Sequence, residues 1–507
     1  MKIRGSAPRT LLGATLGFFV GFAAVSLFGP TARLLKESMG LGPAEVGLLV
    51  AVPSATGSLL RIPFGAWVET TGGRVPFLVL LGLSAAGMGG ILTLLALNPQ
   101  GLHGEHYLLL LALGMLAGCG IATFSVGIGQ VSYWYPHDRQ GAALATYAGL
   151  GNVAPGLFAL LLPLVIGTLG ITRAYGLWLV LLLAGIGAYA SLALPAPFFQ
   201  LWCRGRGEPR DRALAQARTA GQELFPGGGV REGLRITARL PQTWILVGLY
   251  FASFGGFLAL TAWLPTYWGE RFGLALSAAG ALTMAYSVLT SVIRVPGGFL
   301  ADRWGGERAA VLSFAFMGLG ALIVTLAASV AMAIGGVLLM AAGMGVANAA
   351  VFKMVPSYLS VGGGAAGAGW VGGLGAFGGF ALPPVMGALV GYFDGDAGYA
   401  WGFAIFLLLA LASIGLTRML ALRWGAIARA PVQLVVVSCP VHGERTEVWA
   451  QALSGETAAV RLLRCSLLPG EIGELSCTRS CLDQVLNQIK VPASSTSRSL
   501  QQGLRQS

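Results

Sequence analysis

Arg61 and Arg294 stand inside apolar runs of roughly twenty residues or more, in the local sequences LLRIPFGAWVETTGGR and VIRVPGGFLADRWGGER. An arginine at bilayer depth costs about 2.5 to 3.5 kcal/mol, so the pair calls for about 5 to 7 kcal/mol of compensation. An anion is the expected compensator. A guanidinium keeps its charge, is planar and donates paired hydrogen bonds to adjacent oxygens, which suits a small oxyanion better than a lysine ammonium does.

The two segments align without gaps. Arg61 with Arg294, Pro63 with Pro296, Gly65 with Gly298, Glu69 with Asp302, Gly72 with Gly305 and Gly73 with Gly306 share one offset of 233 residues. A common offset across these pairs marks an internal repeat, so the arginines occupy equivalent places in two halves.

The elements that must position them are membrane helices. The chain has 507 residues, 55% hydrophobic and 10% charged, with a mean hydropathy of +0.74, which excludes a soluble enzyme. Apolar windows of about 20 residues start near Leu11, Val46, Pro76, Tyr107, Gly141 and Tyr175, then near Trp244, Ser277, Ala309, Val330, Ala365 and Tyr399. These predict twelve helices. The first window is long enough to span and lacks a small-residue cleavage site, so it reads as a retained first helix. The 77 glycines suit closely approaching membrane helices.

Basic residues orient the bundle. Lys2, Arg4, Arg9, Arg74, Arg139, Arg303 and Arg308, with the arginines between Arg204 and Arg239, fall on one side, and only Arg33, Lys36, Arg173 and Arg271 fall on the other. The positive-inside rule then puts both termini in the cytoplasm. The net charge of +12 is mostly topology, and the arginine-rich centre reads as a solvated linker with no nucleic-acid role.

The segment GGFLADRWGGER resembles the signature of the major facilitator superfamily, with GAWVETTGGR as its degenerate first-half copy. The resemblance implies an all-α integral membrane fold of two six-helix halves. Residues 1–202 form the first, 203–241 a cytoplasmic linker and 242–430 the second. Glu69, Asp302 and Arg303 are then gate elements: the two acids, at cytoplasmic helix ends, can bond neighbouring helix termini and loop arginines and latch one state.

Within that superfamily, residues 10 to 425 resemble the nitrate/nitrite porters. The fifth helix carries AGLGNVAPG and the eleventh VGGLGAFGGF, matching the family's glycine-rich nitrate motif, which is paired with arginines in helices two and eight. LYFASFGGF in helix seven aligns Tyr250 and Phe254 with the family's aromatic pair. GIATFSVG in helix four aligns Phe124, with Thr123 where an asparagine is usual, and NAAVFKMVP in helix ten contributes Phe352 and Lys353. Lys353 itself reads as a snorkelling side chain. The implied site is two arginines, the flat rings of Phe124 and Phe254, Tyr250, a neutral donor in Asn152, and Gly149, Gly151, Gly373 and Gly375 for close backbone approach. Tetrahedral ions fit such a slot poorly.

The implied function is transport of nitrate and nitrite by alternating access across the cytoplasmic membrane, by a monomer embedded in the lipid bilayer, with no cofactor for transport. Importing a lone anion against an inside-negative potential costs about 2.3 kcal/mol per 100 mV. The acidic residues and histidines all lie outside the apolar cores, which favours nitrate/nitrite exchange. Proton symport, and a nitrate receptor with the tail as output, remain open.

The tail is separate. Residues 431–491 read as a small α+β cytoplasmic domain: VQLVVVSCP, TEVWAQAL and VRLLRCSLLP as strands, then a helix from Thr478 to Ile489, with 492–507 a disordered tail. Cys439, His442, Cys465, Cys477 and Cys481 are candidate zinc ligands, but their spacing is not a standard finger and five ligands overfill a four-coordinate site. Zinc, reduced buried thiols and redox sensing stay open.

Overall fold

The computed structural model describes residues 3–204, 210–226, 230–359, 364–393, 395–429, 432–439, 443, 445–453, 459–465, 481 and 484–485. Twelve helices among them are long and apolar enough to cross a membrane. Helices one to six are Ala7–Met39, Pro43–Thr71, Arg74–Leu97, Gly104–Ser132, Arg139–Leu169 and Ile171–Leu192. Helices seven to twelve are Pro241–Phe272, Leu276–Trp304, Gly306–Thr325, Val330–Tyr358, Ala366–Phe393 and Asp396–Gly425. Each matches an expected apolar window. Helices one and seven are the most enclosed, and six and twelve the most open to the surroundings, so the former lie centrally and the latter at the rim.

Helices three, six, nine, ten and twelve run unbroken, whereas those around the two arginines are interrupted. Helix two turns at Leu60, between Pro43–Leu59 and Arg61–Thr71; helix eight turns at Ile293, between Leu276–Val292 and Arg294–Trp304. The cause is in the repeat. Pro63 and Pro296 have no N–H to give the carbonyls of Leu59 and Val292, so each helix loosens one residue before its arginine. Helix five breaks at Val153, two residues before Pro155, and helix eleven at Phe377. Helix seven carries a π-turn at Phe251–Gly255, a feature frequent at functional sites.

Where helix two begins and helix eleven ends, the halves are closely joined: a Cβ on Gly47 of helix two would overlap the Pro383 backbone of helix eleven, and one on Gly387 would overlap Pro43. Lys36 also crosses the halves there, to Glu270 of helix seven at 2.8 Å, and the other Glu270 oxygen accepts from the Tyr399 hydroxyl at 2.8 Å.

The region between the halves departs from the expected solvated linker. Short helices cover Pro197–Arg204, Arg210–Thr219 and Val230–Ala238. The last of these docks on the second half: Trp370 of helix eleven donates through Nε1 to the Leu234 carbonyl at 3.0 Å, and Trp244 of helix seven to that of Ala238 at 2.8 Å.

Beyond helix twelve, β1 (Val432–Ser438), β2 (Arg445–Leu453) and β3 (Ala459–Cys465) form an antiparallel sheet in chain order, so all three expected strands are present. Val435 and Val437 are buried with Val448, Ala450, Cys481 and Val485, while Leu434 and Val436 face outward, the period-two pattern of a half-buried sheet. Most of the expected 478–489 helix and all of the 492–507 tail lie outside the described residues.

Candidate anion site

Arg61 follows directly on the helix-two interruption and is 1% exposed. Among the described residues it is the one charged side chain that is fully buried. Its Nε donates to the Gly57 carbonyl at 3.2 Å on its own helix, and Nη1 reaches across to the Gly372 carbonyl of helix eleven at 3.0 Å. Nη2 has no partner among the described residues. The guanidinium is therefore partly pinned to backbone and partly unclaimed, and an unmet donor on a buried cation is costly unless an acceptor arrives.

Aromatic rings wall this position. The Arg61 guanidinium carbon lies 4.8 Å from the Phe124 ring centroid and 5.1 Å from that of Phe254; the Arg294 carbon lies 5.7 Å from Phe254. Both arginines thus face one ring, carried on the π-turn of helix seven. Tyr250 stacks on Phe254 at 4.9 Å and 9°, and Phe124 lies 6.0 Å from it at 28°. Arg294 is half-buried.

Asn152 ends the first segment of helix five. It is 1% exposed, neither side-chain amide atom has a partner among the described residues, and its main-chain carbonyl accepts from Ser291 of helix eight at 3.0 Å. The Ser58 hydroxyl, one turn from Arg61, is likewise buried and unpartnered there, and the buried Tyr250 hydroxyl lies within reach of Arg294. The structure thus brings Arg61, Phe124, Phe254, Tyr250 and Arg294 together, with donors to spare.

The motif glycines divide differently from expectation. A side chain at Gly151 would strike the Phe18 ring, one at Gly375 would lie 2.7 Å from Tyr250 Cβ, and one at Gly373 would lie 2.7 Å from Ile62. These three seat rings and neighbouring helices, so the close approach they allow is protein to protein. Gly149 would meet nothing within 4 Å.

Residues of helix one complete the wall. Phe18 lies 5.5 Å from Phe124 and Phe22 lies 6.4 Å from Phe254, while Tyr147, 5.0 Å from Phe18, donates to the Thr123 carbonyl at 2.7 Å. Only the i, i+4 spacing of Phe18 and Phe22 hinted at this, and that spacing serves any packed helix.

Both gate acids are engaged. Asp302 pairs with Lys353 of helix ten, so that lysine is an ion-pair partner and does more than snorkel. Glu69 interacts with Tyr133, just beyond helix four, whose hydroxyl is held well above the ordinary tyrosine value by burial and by that carboxylate, and so stays a donor. Each pair lies within one half, because the repeat sets each acid beside its own half's even-numbered helix. Arg303 is exposed.

In the tail domain Cys439 and Cys481 are buried, and Cys481 belongs to the core beneath the sheet. Cys465 ends β3; His442 and Cys477 lie outside the described residues. No group of three or more His, Cys, Asp or Glu among the described residues could hold a metal, so the zinc reading has no support there.

Comparison with known proteins agrees with this architecture. Residues 14–368 match the Major Facilitator Superfamily. The chain is 31% identical over 415 residues to the probable nitrate/nitrite antiporter NarK1 of Thermus thermophilus, covering 76% of this chain and 86% of that protein. It is 29% identical to the nitrite extrusion protein of Bacillus subtilis, covering 79% and 91%. Among solved structures, the xylose transporter XylE from E. coli superposes with a TM-score of 0.64 at 14% identity, covering 83% of this chain and 99% of that one. The human organic anion transporter MFSD10 gives 0.57 at 18% identity, covering 82% and 100%. These relatives are carriers, not enzymes, and the chain belongs to the nitrate/nitrite porters of the Major Facilitator Superfamily.

Proposed function

We propose that this protein carries nitrate and nitrite across the cytoplasmic membrane by alternating access, exchanging one for the other. Arg61, Arg294, Phe124, Phe254, Tyr250 and Asn152 hold the anion. The observation that carries this reading is Arg61: a fully buried guanidinium with one amino group unclaimed, facing the same aromatic ring as the arginine of the other half. A planar oxyanion fits beside Phe254 with its oxygens turned to the two cations, and the water-poor walls strengthen those bonds. The names of the relatives support nitrate and nitrite as the ions.

Two halves, 1–202 and 242–430, rock about this site. The bound anion offsets the repulsion between two cations that closure brings together, so occupancy favours the switch. The linker 203–241 and the domain 431–491 lie on the cytoplasmic side with both termini, as the basic loops require. Exchange of monovalent anions moves no net charge and so avoids about 2.3 kcal/mol per 100 mV. The absence of any buried carboxylate among the described residues favours it over proton symport.

Proteoliposomes test the reading. Vesicles loaded with nitrite should take up external nitrate rapidly, and empty vesicles with only an inward proton gradient should not. Equal uptake by the empty vesicles would replace exchange with symport, and no uptake by either would remove the carrier.

A further inference from the structure

Asn348 of helix ten is 0% exposed, and neither its side-chain oxygen nor its nitrogen has a partner among the described residues. A buried amide with all its hydrogen-bonding capacity unmet is destabilising, and calls for something that completes it.

Its position says what that is. Helices eight and ten run in the same direction, and Arg294 and Asn348 stand at the same distance from their starts, Leu276 and Val330. The two helices touch around this level: a Cβ on Gly345 would overlap Ile293, and one on Gly297 would lie 2.9 Å from Val346. Helix ten is unbroken, so Met344, Asn348 and Phe352, spaced by four, share one face. Met344 accepts from the Tyr286 hydroxyl at 3.1 Å and reaches Gly256 of helix seven, and Phe352 packs edge-on to Tyr250 at 4.8 Å. Asn348 lies between them, and so opposite the π-turn that carries Phe254, the ring both guanidiniums face.

We infer that Asn348 binds the transported anion, supplying from the second half the neutral donor that Asn152 supplies from the first. This rests on the anion site proposed above. Its amide nitrogen donates to an anion oxygen, and the bond is made only when the site is occupied.

Asn348→Leu tests it, because leucine keeps the branched shape without the unmet polar atoms. Purified variant titrated with sodium nitrate should show a thermal transition equal to or above wild type, with nitrate affinity lowered about ten- to hundredfold, the effect of losing one hydrogen bond to a charged group. Asn348→Ala serves where leucine does not fold. Arg61→Lys is run beside them. If it loses nitrate binding while both Asn348 variants keep wild-type affinity, the inference fails alone; if all three keep it, the anion site itself is misassigned.

Discussion

Arg61 and Arg294 share a local sequence, a proline two residues on and an interruption one residue before, yet their surroundings differ. Arg61 is sealed: it reaches across to Gly372 of helix eleven, beside the point where Gly373 is pressed against Ile62. Arg294 is half-buried, and on helix five, which adjoins its helix, Gly149 has nothing within 4 Å and Leu150 is exposed. The repeat places two equivalent cations, and the asymmetric meeting of the halves makes one a fixed anchor and the other an accessible arm. The helix two–eleven seam is closed around Arg61, and helices five and eight meet through the Asn152 carbonyl and Ser291 beside the half-buried Arg294.

The largest expected contrast lies in the arginines themselves. Arg61→Lys should lower the thermal transition in detergent, because an ammonium's donors radiate from one nitrogen and lack the guanidinium's spread between the Gly57 and Gly372 carbonyls; a carbonyl left unmet costs about 1 to 3 kcal/mol. Arg294→Lys should leave the transition near wild type. Equal destabilisation by both would break the distinction between anchor and arm.

A smaller contrast lies in the motif glycines. Gly373→Ala should cost about 1 to 3 kcal/mol of stability by overpacking the seam against Ile62, whereas Gly149→Ala should be silent in the same melt. A silent Gly373→Ala would show that the seam yields without loss.

Much of this was legible in the sequence, for reasons that differ by residue. Arg61 and Arg294 stood out because charge at bilayer depth is expensive, and the shared offset made them equivalent. Pro63 and Pro296 carried the interruptions in plain view as repeat members. The strands of the tail were legible because alternation is local. The unequal burial of the arginines was not, because a repeat is symmetric and the bond to Gly372 joins residues 311 apart in the chain. Phe18 and Phe22 were hidden among other apolar residues of helix one, and the partners of Asp302 and Glu69 depend on which helix lies alongside. The glycine motif was legible only as close approach, because a missing Cβ admits a neighbouring helix as readily as a ligand.

In the proposed site both arginines hold one anion. Nitrate titrated into purified wild type, Arg61→Lys, Arg294→Lys and the double variant tests it most directly, as a double-mutant cycle. Each single substitution is expected to abolish most of the binding, so that the double variant loses little more. Additive losses, or wild-type affinity in either single variant, would contradict it.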